Sequence, residues 1–245
     1  MPARWLALGV GAYLVFAIVL LPADVAYRWL APDPVRLSGV QGTVWSGSAT
    51  LGSAGSLGLH DVRWRVQPWS FFFARPGGRI EAGLGDGFLQ ADVRIGASEI
   101  FLSTFTATCS LSTFASTLPI AGIGGQMSLQ LAELVLRDGR PVAASGQLLL
   151  GQLIVPSLVG GEPIALGNYR IALFGTVGLQ GRFEDQGGPL EVRGSANLTA
   201  AGDYEISGLV RARPEADAAL RQGVELLSGA PDDSGMRAFS LSGTL

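Results

Sequence analysis

From Val35 onward the chain is written in period two. Val35, Leu37 and Gly39 alternate with Arg36, Ser38 and Val40; Thr43-Val44-Trp45-Ser46 and Ala49-Thr50-Leu51 follow after glycines. Side chains of a strand alternate between its two faces, so this pattern predicts half-buried strands joined by short turns. Leu57, Leu59, Val62, Trp64 and Val66 continue it, with a skip near His60-Asp61 that predicts a bulge. The chain carries 35 glycines in 245 residues without a collagen-like period, which fits many tight turns in a β fold.

Further strands are expected at Ile80–Leu84 and Phe88–Ile95, paired across Gly85-Asp86-Gly87, then at Ile100–Ser110, Gln126–Leu136 and Val142–Leu150. Tyr169–Phe174, Val177–Phe183, Leu190–Thr199, Tyr204–Ala212 and Met236–Leu245 complete the series. Two short helices interrupt it. Leu111, Phe114 and Leu118 have helical spacing, and Pro214–Leu227 carries an apolar stripe with Pro214 as its opening residue. An echo of helix, loop, glycine and strand suggests two similar halves, about 35–150 and 151–245.

Ahead of this region lies an uncharged apolar run, Trp5–Leu21. As a helix it would span roughly 25 Å, the short end of what crosses a bilayer. Trp5, Leu8, Leu14, Phe16 and Leu20 are its expected lipid-facing anchors. Arg4 precedes the run, while Asp24 and Arg28 cancel after it, so the bulk of the chain is expected across the membrane. A cleaved leader fits less well, because Leu21-Pro22-Ala23 and Asp24-Val25-Ala26 lack a small residue at the −3 position. The domains expected are 1–21 (cytoplasmic tip and membrane helix), 22–34 (linker, with Tyr27 and Trp29 suited to a headgroup belt) and 35–245 (β-rich).

Residues for chemistry are scarce. There is one histidine, His60, one cysteine, Cys109, and no lysine. This leaves no partner for a His-based triad or metal site, no disulfide, and no Schiff-base lysine. His60 is expected as a solvated turn residue and Cys109 as a buried structural thiol. Asp232-Asp233 and Glu184-Asp185 read as solvated turns. No catalytic, metal or cofactor-binding residue is assigned. Arg63-Trp64-Arg65, Trp69, Phe71-Phe72-Phe73, Arg75 and Arg79 form an aromatic and basic cluster. It is read first as sheet core flanked by arginine stems, and otherwise as a membrane or protein contact. The net charge of −3 argues against nucleic acid.

Leu37-Ser38-Gly39-Val40-Gln41-Gly42-Thr43-Val44-Trp45-Ser46-Gly47-Ser48-Ala49 resembles the signature of the type II secretion system protein N family. Trp64 with Pro68, Leu166-Gly167-Asn168-Tyr169, and Gly202-Asp203-Tyr204 through Ser207-Gly208-Leu209 are similar too, and the likeness covers essentially the whole chain. At Gly146-Gln147-Leu148 the tryptophan expected two residues after the glycine is missing.

The resemblance implies a non-enzymatic, single-pass inner-membrane protein with its bulk in the periplasm. Its partners would be other secretion-system proteins of the inner membrane and periplasm, and membrane lipids. Gly42, Trp45, Gly47, Trp64, Pro68 and Trp69 are the motif or contact residues, with Trp45 read as anchoring the first hairpin into the core. The expected architecture is one transmembrane helix followed by a curved, largely antiparallel sheet with one or two short helices. A second reading is an envelope lipid-binding or lipid-transfer protein with an apolar β-groove. Continuous Leu, Ile, Val and Phe along the concavity would favour lipid, and mixed polar residues would favour protein.

Overall fold

The computed structural model describes Gly9, Gly11, Tyr13 and residues 16–30, 35–55, 57–67, 76–96, 98–115, 122–137, 140–156, 162–175, 178–199 and 202–244. Trp5, Leu8, Leu14, Pro68, Trp69, the Phe71–Phe73 piece and Arg75 lie outside them. So do Leu6, Ala7, Val10, Ala12 and Val15 of the run Trp5–Leu21. Among the described residues no helix is long and apolar enough to cross a membrane.

Helix α1 (Ala23–Leu30) leads into strands β1 (Val35–Ser38), β2 (Gln41–Gly42), β3 (Ser46–Ala54) and β4 (Leu57–Val66). Then come β5 (Gly77–Leu84), β6 (Gly87–Ile95), β7 (Glu99–Ser110), β8 (Gly124–Arg137) and β9 (Arg140–Val155). The series ends with β10 (Ile164–Phe174), β11 (Leu179–Asp185), β12 (Leu190–Leu198), β13 (Asp203–Ala212), helix α2 (Ala218–Leu227) and β14 (Arg237–Thr244). All strands belong to one 14-stranded antiparallel sheet in which each from β3 onward pairs with the next. β1 and β2 both pair with β3.

The mainly-β expectation holds, and local patterning located most strands. The bulge sits where the skip predicted it: Asp61 adopts φ 49°, and the β4–β5 register shifts between His60 and Arg63. Leu57, Leu59, Val62, Trp64 and Val66 consequently stay on one side, all at least half-buried. Among the described residues the expected helix after Ser110 is a 3-10 turn, Leu111–Phe114, with Ser110 as its cap, and Leu118 lies outside them. The second helix begins at Ala218, not Pro214. Asp217 is the N-cap and accepts from the Leu220 amide at 2.6 Å, while Pro214-Glu215 forms a preceding turn. Asp217→Ala should therefore destabilise the fold by about 1 kcal/mol, measured by urea unfolding.

Cross-strand register gives the sheet two chemically distinct faces. One row runs Ala82, Leu89, Ala107, Leu129 and Leu148 through β5–β9. It continues as Ile171, Phe183, Gly194, Gly208 and Phe239 through β10–β14. Directly opposed residues share a face, so this side is apolar across ten consecutive strands. The rings of Phe183 and Phe239 lie over Gly194 and Gly208, and their centroids are 6.2 Å apart. One residue along each strand, the row reads Glu81, Gln90, Thr106, Gln130 and Gln147, then Ala172, Arg182, Ser195, Ser207 and Ser240. That face is polar at every strand but one.

A sheet with one apolar face normally buries it against a second layer. Among the described residues the helical ones off the sheet are Gly9, Gly11, Tyr13, residues 16–19, α1, α2 and the 3-10 turn. Small side chains make up much of the buried set, including Ala49, Ala82, Ala91, Ala107 and Ala144, whereas Leu89, Leu129, Leu148 and Ile171 are half-buried. Cys109 is 1% exposed, and burial pushes its thiol pKa up, as suits a structural residue.

Candidate functional site

The turn Thr43–Ser46 meets the segment that precedes α1. The Thr43 amide donates to Ser46 O at 2.9 Å, closing the turn, and Val66 N donates to Trp45 O at 2.7 Å. On its outer side Val44 N donates to Leu21 O, and Pro22 bridges Thr43. The Trp45 indole N–H donates to Ile18 O at 2.9 Å. Ile18 O also accepts from Leu21 N at 3.4 Å, so Trp45 adds a second donor to a carbonyl at the end of the helical residues, where intrahelical partners run out. Phe16, Ile18, Val19 and Leu20 are each more than half exposed. Of the expected anchors, only Phe16 and Leu20 are described.

The core role expected of Trp45 falls to Trp64. Its ring packs on the cluster of Ala49, Val62 and Ala82, and its indole donates to Val44 O at 3.2 Å. Gly47 makes room: a Cβ there would lie 2.4 Å from Trp64 Cζ2. Gly42 pairs with Gly47 across β2 and β3. On the polar face, Arg63, Arg65, Arg79 and Glu81 line a cavity of about 530 Å³ together with Gln41, Ser46 and Ser48. Arg79 makes a bidentate pair with Asp92 at 2.8 and 3.1 Å, and that pairing lowers the Asp92 pKa. The described part of the aromatic–basic cluster thus divides as expected, Trp64 inward and the arginines outward.

α1 blocks one sheet edge. The Tyr27 hydroxyl accepts from Leu37 N at 2.9 Å and faces Val35 O at 3.3 Å, so it occupies the outer side of β1. Tyr27 is therefore committed to the protein, while Trp29 is 78% exposed.

A second cluster was misread in the sequence. Asp185 is no solvated turn residue; its side chain is 10% exposed. It accepts from Val192 N at 2.9 Å, Gly187 N at 3.2 Å and Arg213 Nη2 at 2.7 Å. Burial raises its pKa, but these three donors outweigh that, and the net shift is downward. Arg213 also donates to Gly188 O and Leu190 O. The Leu166–Tyr169 motif sits alongside. Tyr169 donates to Leu166 O, Asn168 Oδ1 accepts from Gln152 N, and Gln186 N donates to Asn168 O. Burial, with Asp185 nearby, pushes the Tyr169 phenol up to about 12. These contacts are structural: they tie β9–β13 together at one end of the sheet.

The His60 side chain is 45% exposed, with its ring between Asp61 and Gly85 O, which raises its pKa chiefly through the Gly85 carbonyl. Asp232 accepts from Ser234 and Met236, making a turn. Among the described residues no group of three or more His, Cys, Asp or Glu side chains is placed to hold a metal ion.

Residues 33–240 match the family model described as type II secretion system (T2SS), protein N. The chain belongs to the type II secretion system protein N family. A relative named type II secretion system protein N, from Aeromonas hydrophila, is 40% identical over 72 residues. That stretch covers 29% of this chain and 29% of the relative. No solved structure matches. In this family member the Gly42–Gly47 segment is the turn that meets the N-terminal segment, and Leu166–Tyr169 abuts the Asp185 cluster.

Proposed function

We propose that this chain is a non-enzymatic, inner-membrane-anchored component of the type II secretion system. It would support export of folded proteins from the periplasm through protein–protein contacts. The family match over residues 33–240 carries this reading. The hydrogen bonds that Trp45 and Val44 make to Ile18 and Leu21 support it, since they give an N-terminal tether a fixed seat on the sheet. The working contact is the outer edge of β14. Tyr27 blocks the other end of the sheet, whereas on β14 only Arg237 and Ala238 are met from outside, by Pro231 and the Gly229 amide, and residues 239–244 pair with β13 alone among the described residues. An unpaired strand edge is a template for an added strand.

The test is in-cell crosslinking with a photoreactive residue at Ser242 on β14, and at Ser195 on the polar face as a control. Capture at Ser242 of an inner-membrane or periplasmic secretion component, identified by mass spectrometry, is the expected result. Recovery of the full-length protein in the cytosolic fraction, or a deletion strain with unchanged secretion and no Ser242 adduct, would overturn the reading.

A further inference from the structure

The apolar face opens near β14 into a cavity of about 400 Å³, within the range of sites that hold small ligands. Gly181 and Ala196, side by side on β11 and β12, form its floor. Leu173 on β10 and Ile206 on β13 stand as rails, and Leu241 on β14 extends the outer wall. The Tyr204 ring lies over Gly243 and closes one end. Leu241 is 56% exposed.

We propose that this cavity holds an acyl chain of a membrane phospholipid. The lining is continuous aliphatic carbon, with Asn197 and Tyr204 the polar residues among those described. An extended peptide lying across the sheet face would leave its own amides unpaired, because the sheet's backbone groups are engaged in the ladder. A helix needs ~10–12 Å of width. The two rails are three strand spacings apart, roughly 14 Å between strand axes before their side chains are counted. A helix would rest on the rails and leave the glycine–alanine floor empty, and such voids are destabilising. A polymethylene chain is thin enough to reach the floor and has no hydrogen bonds to lose.

The charge around the cavity selects the form of the chain. No Arg or His is among the described residues that line it, so a free fatty acid's carboxylate finds no counter-ion among them. An esterified chain brings no charge of its own at that point and leaves its headgroup in solvent. This assignment stands independently of the secretion role.

The experiment uses the purified full chain and phosphatidylethanolamine carrying a diazirine midway along one acyl chain, with diazirine-labelled palmitate in parallel. Adducts should map to the peptides containing Leu173, Ala196, Ile206 and Leu241. Ala196→Leu, which fills the floor with a larger apolar side chain, should cut labelling of these peptides at least tenfold, and Ser195→Ala on the polar face should leave it unchanged. Should Ala196→Leu not fold, the adduct map of the unaltered chain decides. Labelling confined to the N-terminal apolar residues, equal labelling of Ala196→Leu, or labelling by palmitate alone would each overturn the proposal. A normal secretion phenotype would not, which separates this test from that of the export role.

Discussion

Asp185→Ala is expected to lose about 3 kcal/mol of stability, at the lower end for breaking an enclosed ion pair. The substitution removes the acceptor for Arg213 and for the Val192 and Gly187 amides together. Arg213 is 28% exposed, so water relieves part of the penalty, and the lower figure is the apt one. For a chain of this size the fall in Tm should be about 6–12 °C, read by thermal melting. Asp185→Asn keeps an acceptor and should cost less. The two variants also separate charge from hydrogen bonding through pH. The folded carboxyl titrates below its ordinary value of 3.8, so its charge stabilises the fold above that pH. The contribution disappears as pH falls from 3.8 toward the folded value. The Tm gap between the unaltered protein and Asp185→Asn should be constant at neutral pH and shrink below about pH 4. A gap that persists undiminished at pH 2 would show that the carboxylate's charge contributes nothing.

The same residue shows where sequence reading reaches its limit. Glu184-Asp185 sits beside Gly187-Gly188 and looks like any surface turn. Its partner Arg213 lies 28 residues away, and no local pattern announces the pair. Features fixed by near neighbours were legible: the hairpin through Gly85-Asp86, the bulge at Asp61, the inward run from Leu57 to Val66. The α2 start was misplaced because Pro214 and Asp217 are both good opening residues, and only the structure shows which side chain meets an amide. Trp45 and Trp64 are equally large, and the sequence cannot say that a turn carries one outward to Ile18 while Gly47 admits the other. The two-faced sheet depends on register across ten strands, so its apolar row was expected only in kind. The cavity joining Leu173 to Leu241 was not readable at all.

Gly47→Ala is the second substitution expected to have a large effect. It tests whether the Gly42–Gly47 element is a packing device. The added Cβ would lie 2.4 Å from Trp64 Cζ2 and 2.6 Å from Gln41 O. The ring could rotate away from the first contact, but the second is with backbone. Relief requires opening the Gly42–Gly47 pairing, which supports the turn that binds Ile18 and Leu21. Overpacking of this kind costs about 3 kcal/mol. Trp64 should also lose its fixed environment, seen as reduced near-ultraviolet circular dichroism. Gly58→Ala on the neighbouring strand is the matched control. Nothing lies within 4 Å of a Cβ there, so its stability should change by less than about 0.5 kcal/mol. If both alanines were equally harmless, close approach of Trp64 would not be the reason for glycine at position 47. The seat of the N-terminal segment would then have to depend on Trp45 and Val44 alone.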